Sequence, residues 1–455
     1  MEAVKLTLLA AAMGCETAVE ADITHICTDT RKLTPGCLFV ALKGETFDGH
    51  RFVKTALEQG AAAAVVHQPV EDVDQDKLLE VMDTQDALLD MASVYRDQFP
   101  ELKLVAVTGS VGKTTTKDFI ACVVSAGYNT HKTQGNQNNE IGVPATIYGR
   151  TKEHGAAVVE MGMQGLGEIL DLTLALHPTI GVITNIGVSH IERLGSRENI
   201  LRAKLELCEG LEDGAPLFLC GDNDLLATVE EPRLETIFYG IENPACAIRG
   251  GEIKEEGDST SFVIMAEGQT WQAVIPCVGR HNVLNALAAF GVGRKLGIPA
   301  ERCIAALADY QPYGMRQHIV RLGGVTMVED CYNASPDSMR AALTTLKDYP
   351  CSGRRIAVLA DMLELGHIAE ESHRSTGKLA AQCAAMLFCY GPLGRLYAQG
   401  AAEAGLQQAQ WFAQKAALAE ALCGQVQPGD VVWVKASRGM KLEEVLGTLQ
   451  ARLEQ

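Results

Sequence analysis

No run of about 18 apolar residues occurs anywhere in the 455-residue sequence, which leaves no candidate for a membrane-spanning helix and predicts no membrane insertion. Basic charge is also scarce. Lysines and arginines number 39 against 57 aspartates and glutamates, a formal net charge of −18. That balance argues against a nucleic-acid partner, whose phosphates call for a basic face, but leaves anionic small ligands open. Paired cysteine spacing is missing too. The 14 cysteines are scattered singly with no C-x-x-C, so they read as buried free thiols of a reducing compartment rather than a disulfide framework or a metal site. The first residues, Met1-Glu-Ala-Val-Lys, hold no basic stretch leading into a signal-type apolar core, and a cytoplasmic protein is expected. Repeats and low-complexity segments are absent. What remains is ordinary globular composition, 47% hydrophobic and 21% charged, in a chain long enough for roughly three domains.

Among the features present, the stretch from Leu104 to Lys117 is the most informative. An apolar run stops at Thr108-Gly109, and Gly112-Lys113-Thr114 opens a segment with helical spacing through Phe119, Ile120, Val123 and Val124. Glycines let the backbone curl so that the N–H groups of Gly109, Ser110, Val111, Gly112 and Thr115 can converge on phosphate oxygens at the positive end of a helix. Lys113 would then neutralise phosphate charge and the Thr114 hydroxyl would hold Mg²⁺. The loop is shorter than the common nucleotide loop, which wants a glycine where Val107 stands.

Three blocks follow from the patterning. Residues 1–98 hold a short helix (6–13), strand-like pieces (37–41, 62–66) and polar glycine-bearing loops. From 99 to 311, apolar runs at 102–107, 156–160, 179–184 and 215–220 alternate with helical segments, which implies βαβ units and a parallel sheet. Period-two stretches at 245–278 predict an antiparallel addition before a helix at 281–296. Residues 312–455 restart the alternation, with strands at 355–359, 386–390 and 430–434, as a second doubly wound unit. The fold class is α/β, and Tyr310 to Gly314 is the expected hinge.

Parallel sheets bind ligands at their carboxyl strand ends. Glu160 ends one buried run, where a carboxylate beside a phosphate loop suits Mg²⁺. His190 follows another, as a neutral metal ligand, a proton carrier or a structural histidine. Lys204 lies in a predicted helix (197–211), where spacing alone makes it a solvated lysine.

These residues, taken with Gly135-Asn-Gln-Asn-Asn-Glu-Ile-Gly-Val-Pro144, Gly279-Arg-His-Asn282 and Asp330-Cys-Tyr-Asn-Ala-Ser-Pro-Asp-Ser338, resemble the Mur ligases, ATP-dependent amide-forming enzymes of bacterial cell-wall precursor synthesis. The resemblance implies a three-domain chain: a UDP-sugar-binding block, a central ATP-binding domain and a Rossmann-like C-terminal domain. Thr114-Thr-Thr-Lys117-Asp118 and Asp330-Cys-Tyr-Asn-Ala-Ser-Pro point within it to the member adding D-alanyl-D-alanine to UDP-N-acetylmuramoyl-tripeptide through an acyl phosphate. It further implies Asn282 and Asn285 near adenine, Arg316 at the phosphates, Asp330 at the ribose hydroxyls, and Asn333 among the ATP-binding residues. Thr28, Asp29, Thr30, Arg31, Lys43, Gly44, Asp48, Gly49 and His50 are implied as UDP-substrate groups, separable by deletion from ATP binding. Thr114 and Glu160 would hold one Mg²⁺, and His190 with a carbamate formed on Lys204 a second. A monomer is expected. Other ligases of this architecture, or a nucleotide-hydrolysing switch, stay open at this point.

Overall fold

Continuous apolar runs become parallel strands when helices cover both faces of the sheet. The computed structural model describes residues 1–312 and 314–454, which form three main sheets. In a nine-stranded sheet, Lys103–Thr108 is third from one edge and lies between Ile180–Ile183 and Ala156–Glu160, all parallel. The register sets Thr108 beside Ile183 and Val107 beside Glu160, so three loops leave the same sheet edge together. Pro216–Cys220 and Glu235–Gly240 extend the sheet in parallel, and the expected antiparallel addition is Ile248–Glu256, Ser259–Ala266 and Gln269–Ile275. The polar edge strand Thr130–Lys132 gave no apolar signal because it is only half-buried.

The C-terminal sheet has six strands, five parallel and one antiparallel edge strand, His318–Leu322. Its period of two divides the strands cleanly: Ala357, Leu359, Val328 and Trp433 face one core, whereas Ile356, Val358, Met327 and Val432 face the other. The N-terminal sheet orders Ile26–Cys27, Leu38–Val40, Ala63–Val66 and Leu78–Glu80, all parallel.

That small sheet does not stand apart. Leu38, Val40 and Val65 belong to the same continuous core as Leu104 and Phe119, while Cys27, Phe39 and Ala41 on the other face form a small cluster of their own. The Thr84–Asp97 helix joins the two: Tyr95 Oη donates to the Arg150 carbonyl at 2.6 Å, and Tyr148 Oη donates to the Leu88 carbonyl at 2.6 Å. The expectation that residues 1–95 can be deleted without touching ATP binding is therefore corrected. Their removal would uncover apolar surface that the central sheet shares.

One further expectation changes. The 197–211 helix stops at Leu205 and passes into a 3-10 turn, Glu206–Gly210. The Glu206 carboxylate accepts from Gly167 N (2.8 Å) and Leu170 N (3.2 Å), capping the positive end of the Glu168–Leu176 helix instead of pointing to solvent. In the expected hinge, Tyr310 is buried and stacks on Phe119 with ring centroids 3.8 Å apart, while Tyr313 lies outside the described residues. All 14 cysteines are free, and no helix among the described residues is long and apolar enough to cross a membrane.

Candidate active site

The loop after Lys103–Thr108 is held from the neighbouring strand end. Ser110 N donates to Asn185 O (3.0 Å), Val111 N to Asn185 Oδ1 (2.8 Å), and Thr184 Oγ1 to Val111 O (2.6 Å). Gly109 adopts φ +149° and Gly112 φ +83°, and a Cβ on Gly109 would overlap Thr184 Oγ1. Alanine at 109 is therefore expected to lower turnover by more than about tenfold, ~1.4 kcal/mol or more, in a protein whose circular dichroism is unchanged. Wild-type turnover in that variant would mean the loop need not keep this shape.

Lys113 starts the Lys113–Ser125 helix and donates to Gly109 O (2.7 Å) and Ser110 O (3.4 Å), curled back over the loop. Burial pushes its ammonium down, Glu160 opposes that shift, and Arg316 adds to it. Thr114 Oγ1 accepts from Arg316 Nη2 at 2.9 Å, and the Arg316 guanidinium sits 4.2 Å over the Tyr332 ring. The C-terminal domain thus reaches the phosphate loop directly.

Glu160 is 1% exposed and stands at the end of Ala156–Glu160. Thr133 Oγ1 accepts from its backbone N–H (3.0 Å), and Asn138 Nδ2 donates to its Oε1 (2.8 Å). Its Oε2 has no hydrogen-bond partner among the described residues. A buried carboxylate oxygen left over beside a threonine hydroxyl fits Mg²⁺, which takes one or two protein oxygens and completes its shell with phosphate and water. Asn138 carried no assigned role in the sequence. The signal was the amide-rich run Asn136-Gln-Asn-Asn139 after an edge strand, three of whose members (Asn136, Asn138, Asn139) line the cavity.

His190 has a left-handed backbone (φ +64°), and burial with the nearby Lys113 and Lys204 charges holds its imidazole down to about 4, so it is neutral at pH 7. Neutral imidazole is the metal-binding form. Glu364 Oε2 of the C-terminal domain lies 3.1 Å from His190 Nδ1. Lys204 is not the solvated lysine its spacing suggested. It is 1% exposed, has no hydrogen-bond or carboxylate partner among the described residues, and burial with the Lys113 charge lowers its pKa far below the usual lysine range.

These groups border a cavity of about 900 Å³, into which Ser110 to Thr115, Glu160, His190, Asn282, Asn285, Arg316, Asp330 and Asn333 all face. Thr108, Gly109 and Lys204 lie behind its wall. Asn282 Nδ2 donates to Val278 O and Gln317 Oε1, both at 2.8 Å. Asn285 Oδ1 instead accepts from Thr116 Oγ1 (2.9 Å), which ties it to the phosphate-loop helix. Asp330 pairs with Lys435 at 2.8 Å. The cavity also recruits Gln85 and Asp86 from the N-terminal block and Arg438 from the C-terminal domain, which had no sequence signal, and Tyr332 and Asp337, which lie within the Asp330 to Ser338 stretch.

The residues expected to meet UDP lie elsewhere; none of them borders this cavity. Asp29 accepts from Arg31 N (3.0 Å) and pairs with the Arg31 guanidinium, which holds its carboxyl at about 2. Thr28 and Thr30 flank it, partly buried. Asp48 accepts from His50 N (3.0 Å) and sits 2.8 Å from His50 Nδ1; Lys43 bridges to Asp48, and Gly49 packs against Leu42, where a Cβ would come within 2.7 Å of a carbonyl. Gly44 N closes the turn on Phe47 O. Both loops hold their own shape with these groups.

Three family profiles match the chain in order: "Mur ligase family, catalytic domain" over 22–96, "Mur ligase middle domain" over 107–293, and "Mur ligase, glutamate ligase domain" over 315–438. The chain is 38% identical over 435 residues to the UDP-N-acetylmuramoyl-tripeptide--D-alanyl-D-alanine ligase of Bacillus subtilis, with 94% of each chain covered. To the Escherichia coli ligase of the same name it is 35% identical over 441 residues, 94% of this chain and 95% of the other. Among solved structures it is similar to MurF from Acinetobacter baumannii, with TM-score 0.91, 28% identity, and 99% and 100% of the two chains covered. MurF ligase from Thermotoga maritima in complex with ADP aligns with TM-score 0.87 and 28% identity, over 94% of this chain and 98% of that one.

Proposed function

Since the chain belongs to the Mur ligase family, we infer that it joins D-alanyl-D-alanine to UDP-N-acetylmuramoyl-tripeptide at the expense of ATP. The observation that carries this reading is one cavity bordered by a phosphate loop, an unpartnered buried carboxylate and residues of all three parts of the chain. A peptide carboxylate does not react with an amine because its leaving group would be oxide. Transfer of the γ-phosphoryl group makes an acyl phosphate, the dipeptide amine adds to its carbonyl, and phosphate leaves. No enzyme nucleophile is needed, consistent with cysteines that are buried or partly buried and assigned no role.

Two anions must meet in this cavity, and the repulsion between them is the barrier to be offset. Lys113 and Arg316 supply cations at the phosphates, and the N–H groups from Gly112 to Thr115, which Asn185 does not occupy, donate to the oxygens. Asn282 and Asn285 meet the adenosine end, with Asp330 and Asn333 at the ribose. Thr114 and Glu160 would hold one Mg²⁺, and His190 with a carbamate on Lys204 a second; bound there, the ions draw charge from the phosphates and the acceptor carboxylate. The carbamate is supported by a buried amine with no counter-ion beside the Lys113 charge: the amine adds to the carbon of CO₂ and loses a proton, leaving an anion. Thr28 to Arg31 and Lys43 to His50 take the UDP end, supported by the Arg31 side chain, 87% exposed, and the Lys43 ammonium nearby. D-alanyl-D-alanine meets the C-terminal wall. The enzyme works in the cytoplasm as a monomer.

Phosphate release measured with and without each peptide substrate tests the reading. Release only when both are present, with a product mass equal to the tripeptide nucleotide plus the dipeptide less water, is the expected result. Substantial ATP turnover without an acceptor would instead mark a nucleotide-hydrolysing switch.

A further inference from the structure

His190 is placed by the central domain, yet the carboxylate beside its Nδ1 comes from the C-terminal domain. Glu364 Oε2 lies 3.1 Å from Nδ1, a contact distance that a small turn of either side chain would align as a hydrogen bond, and neither ring nitrogen has a hydrogen-bond partner among the described residues. Glu364 follows the buried strand Arg355–Ala360, on a loop that docks against the central domain: Ile368 packs on apolar clusters of both domains, and Gly366 lies so close to Glu192 that a Cβ there would come within 3.0 Å of its carbons. Both partners have left-handed backbones, φ +64° at His190 and +61° at Glu364, a conformation that costs energy in non-glycine residues and is kept where surrounding structure imposes it. Left-handed turns on opposite sides of a domain boundary aim the two side chains at one another.

We propose that Glu364 is a positioning residue that reaches across the domain boundary, keeps the His190 proton on Nδ1 and so leaves Nε2 as the lone pair offered to the second cation. This rests on the reading of His190 as a cation ligand. Carboxylates behind ligating histidines fix both the tautomer and the ring angle, and their loss costs about 10–100-fold in metal affinity. Here the carboxylate arrives from another domain. The ligand is therefore set only when the C-terminal domain is docked, and the second cation is offered a finished site only in the closed enzyme. An open enzyme would hold ATP without the complete cation set, which limits hydrolysis before both peptides are enclosed.

The test uses the full chain labelled with ¹⁵N-histidine and free of metal, with His190 assigned from the His190→Gln spectrum. Wild type is expected to show the Nδ1–H form of His190. Glu364→Ala should move it toward the Nε2–H form that free imidazole side chains prefer, and Glu364→Gln, whose amide oxygen still accepts, should keep the wild-type pattern. In Mn²⁺ titrations with a non-hydrolysable ATP analogue and the tripeptide nucleotide, Glu364→Ala should weaken one of two binding events by about tenfold or more, with nucleotide affinity unchanged. An Nε2–H form in wild type, or a Glu364→Ala spectrum identical to wild type, overturns the proposal. Failure of the parent reading looks different: His190→Ala would keep both Mn²⁺ events whatever the tautomer, and the proposal falls with it.

Discussion

Lys113→Ala is expected to lose amide formation by at least about a hundredfold, ~2.7 kcal/mol of transition-state stabilisation. Its ammonium, already desolvated on the phosphate loop and facing the Glu160 carboxylate, is the cation nearest the transferring group. Arg316, the other cation assigned to the phosphates, is anchored on Thr114 Oγ1 and the Tyr332 ring and keeps its own place when Lys113 is lost. Glu160→Ala should fall as far by a different route. It removes a buried, unpartnered carboxylate oxygen at the end of the strand beside the phosphate loop and strands the Asn138 amide that held the other. Excess Mg²⁺ should recover part of the Glu160 loss and none of the Lys113 loss. Steady-state rates with the fold verified by thermal melting decide it. Either variant keeping more than roughly a tenth of wild-type kcat, a loss under about 1.4 kcal/mol, takes the assigned role away.

Lys204→Ala carries the second large effect. A buried ammonium without a counter-ion, beside another cation, is an expensive arrangement. Two chemistries relieve it: a phosphate drawn to the cation, or a carbamate that reverses the charge. Both predict a severely impaired alanine variant. They part on rescue, because millimolar acetate or formate can stand in for a carbamate but not for an ammonium. The expected result is partial recovery by short carboxylates and an inactive Lys204→Arg. Activity in the arginine variant with no rescue of the alanine variant would return Lys204 to a plain cationic contact.

The phosphate loop was legible because its signal is local. Gly109 and Gly112 occupy backbone angles other residues resist, and the apolar run before them must be a strand for the turn to make sense. Glu160 and His190 were legible by position, at the ends of runs that parallel pairing brings together. Lys204 was misplaced by spacing alone, since a helix pattern of nine residues does not say which face another element covers. Glu364 left no trace of its own, and Asn138 only the amide-rich run around it. Their roles come from contacts between segments far apart in sequence, and an exposed glutamate or a loop asparagine looks the same with or without such a partner. The shared core of the N-terminal and central parts was hidden for a related reason. Leu38 and Val40 read as a strand whether their apolar face meets its own helices or a neighbouring sheet.

That shared core sets an order of events during synthesis. The first 98 residues leave the ribosome with one face of their sheet and the Leu88–Ala92–Tyr95 side of a helix still lacking the surface that covers them. Its complement ends near Tyr310, some 200 residues later, a delay of roughly 10 to 40 s at translation rates of 5–20 residues per second. Throughout that interval the nascent chain presents an adhesive apolar face. A chaperone that binds early and lets go late is the cellular condition under which this architecture reaches its native state in good yield.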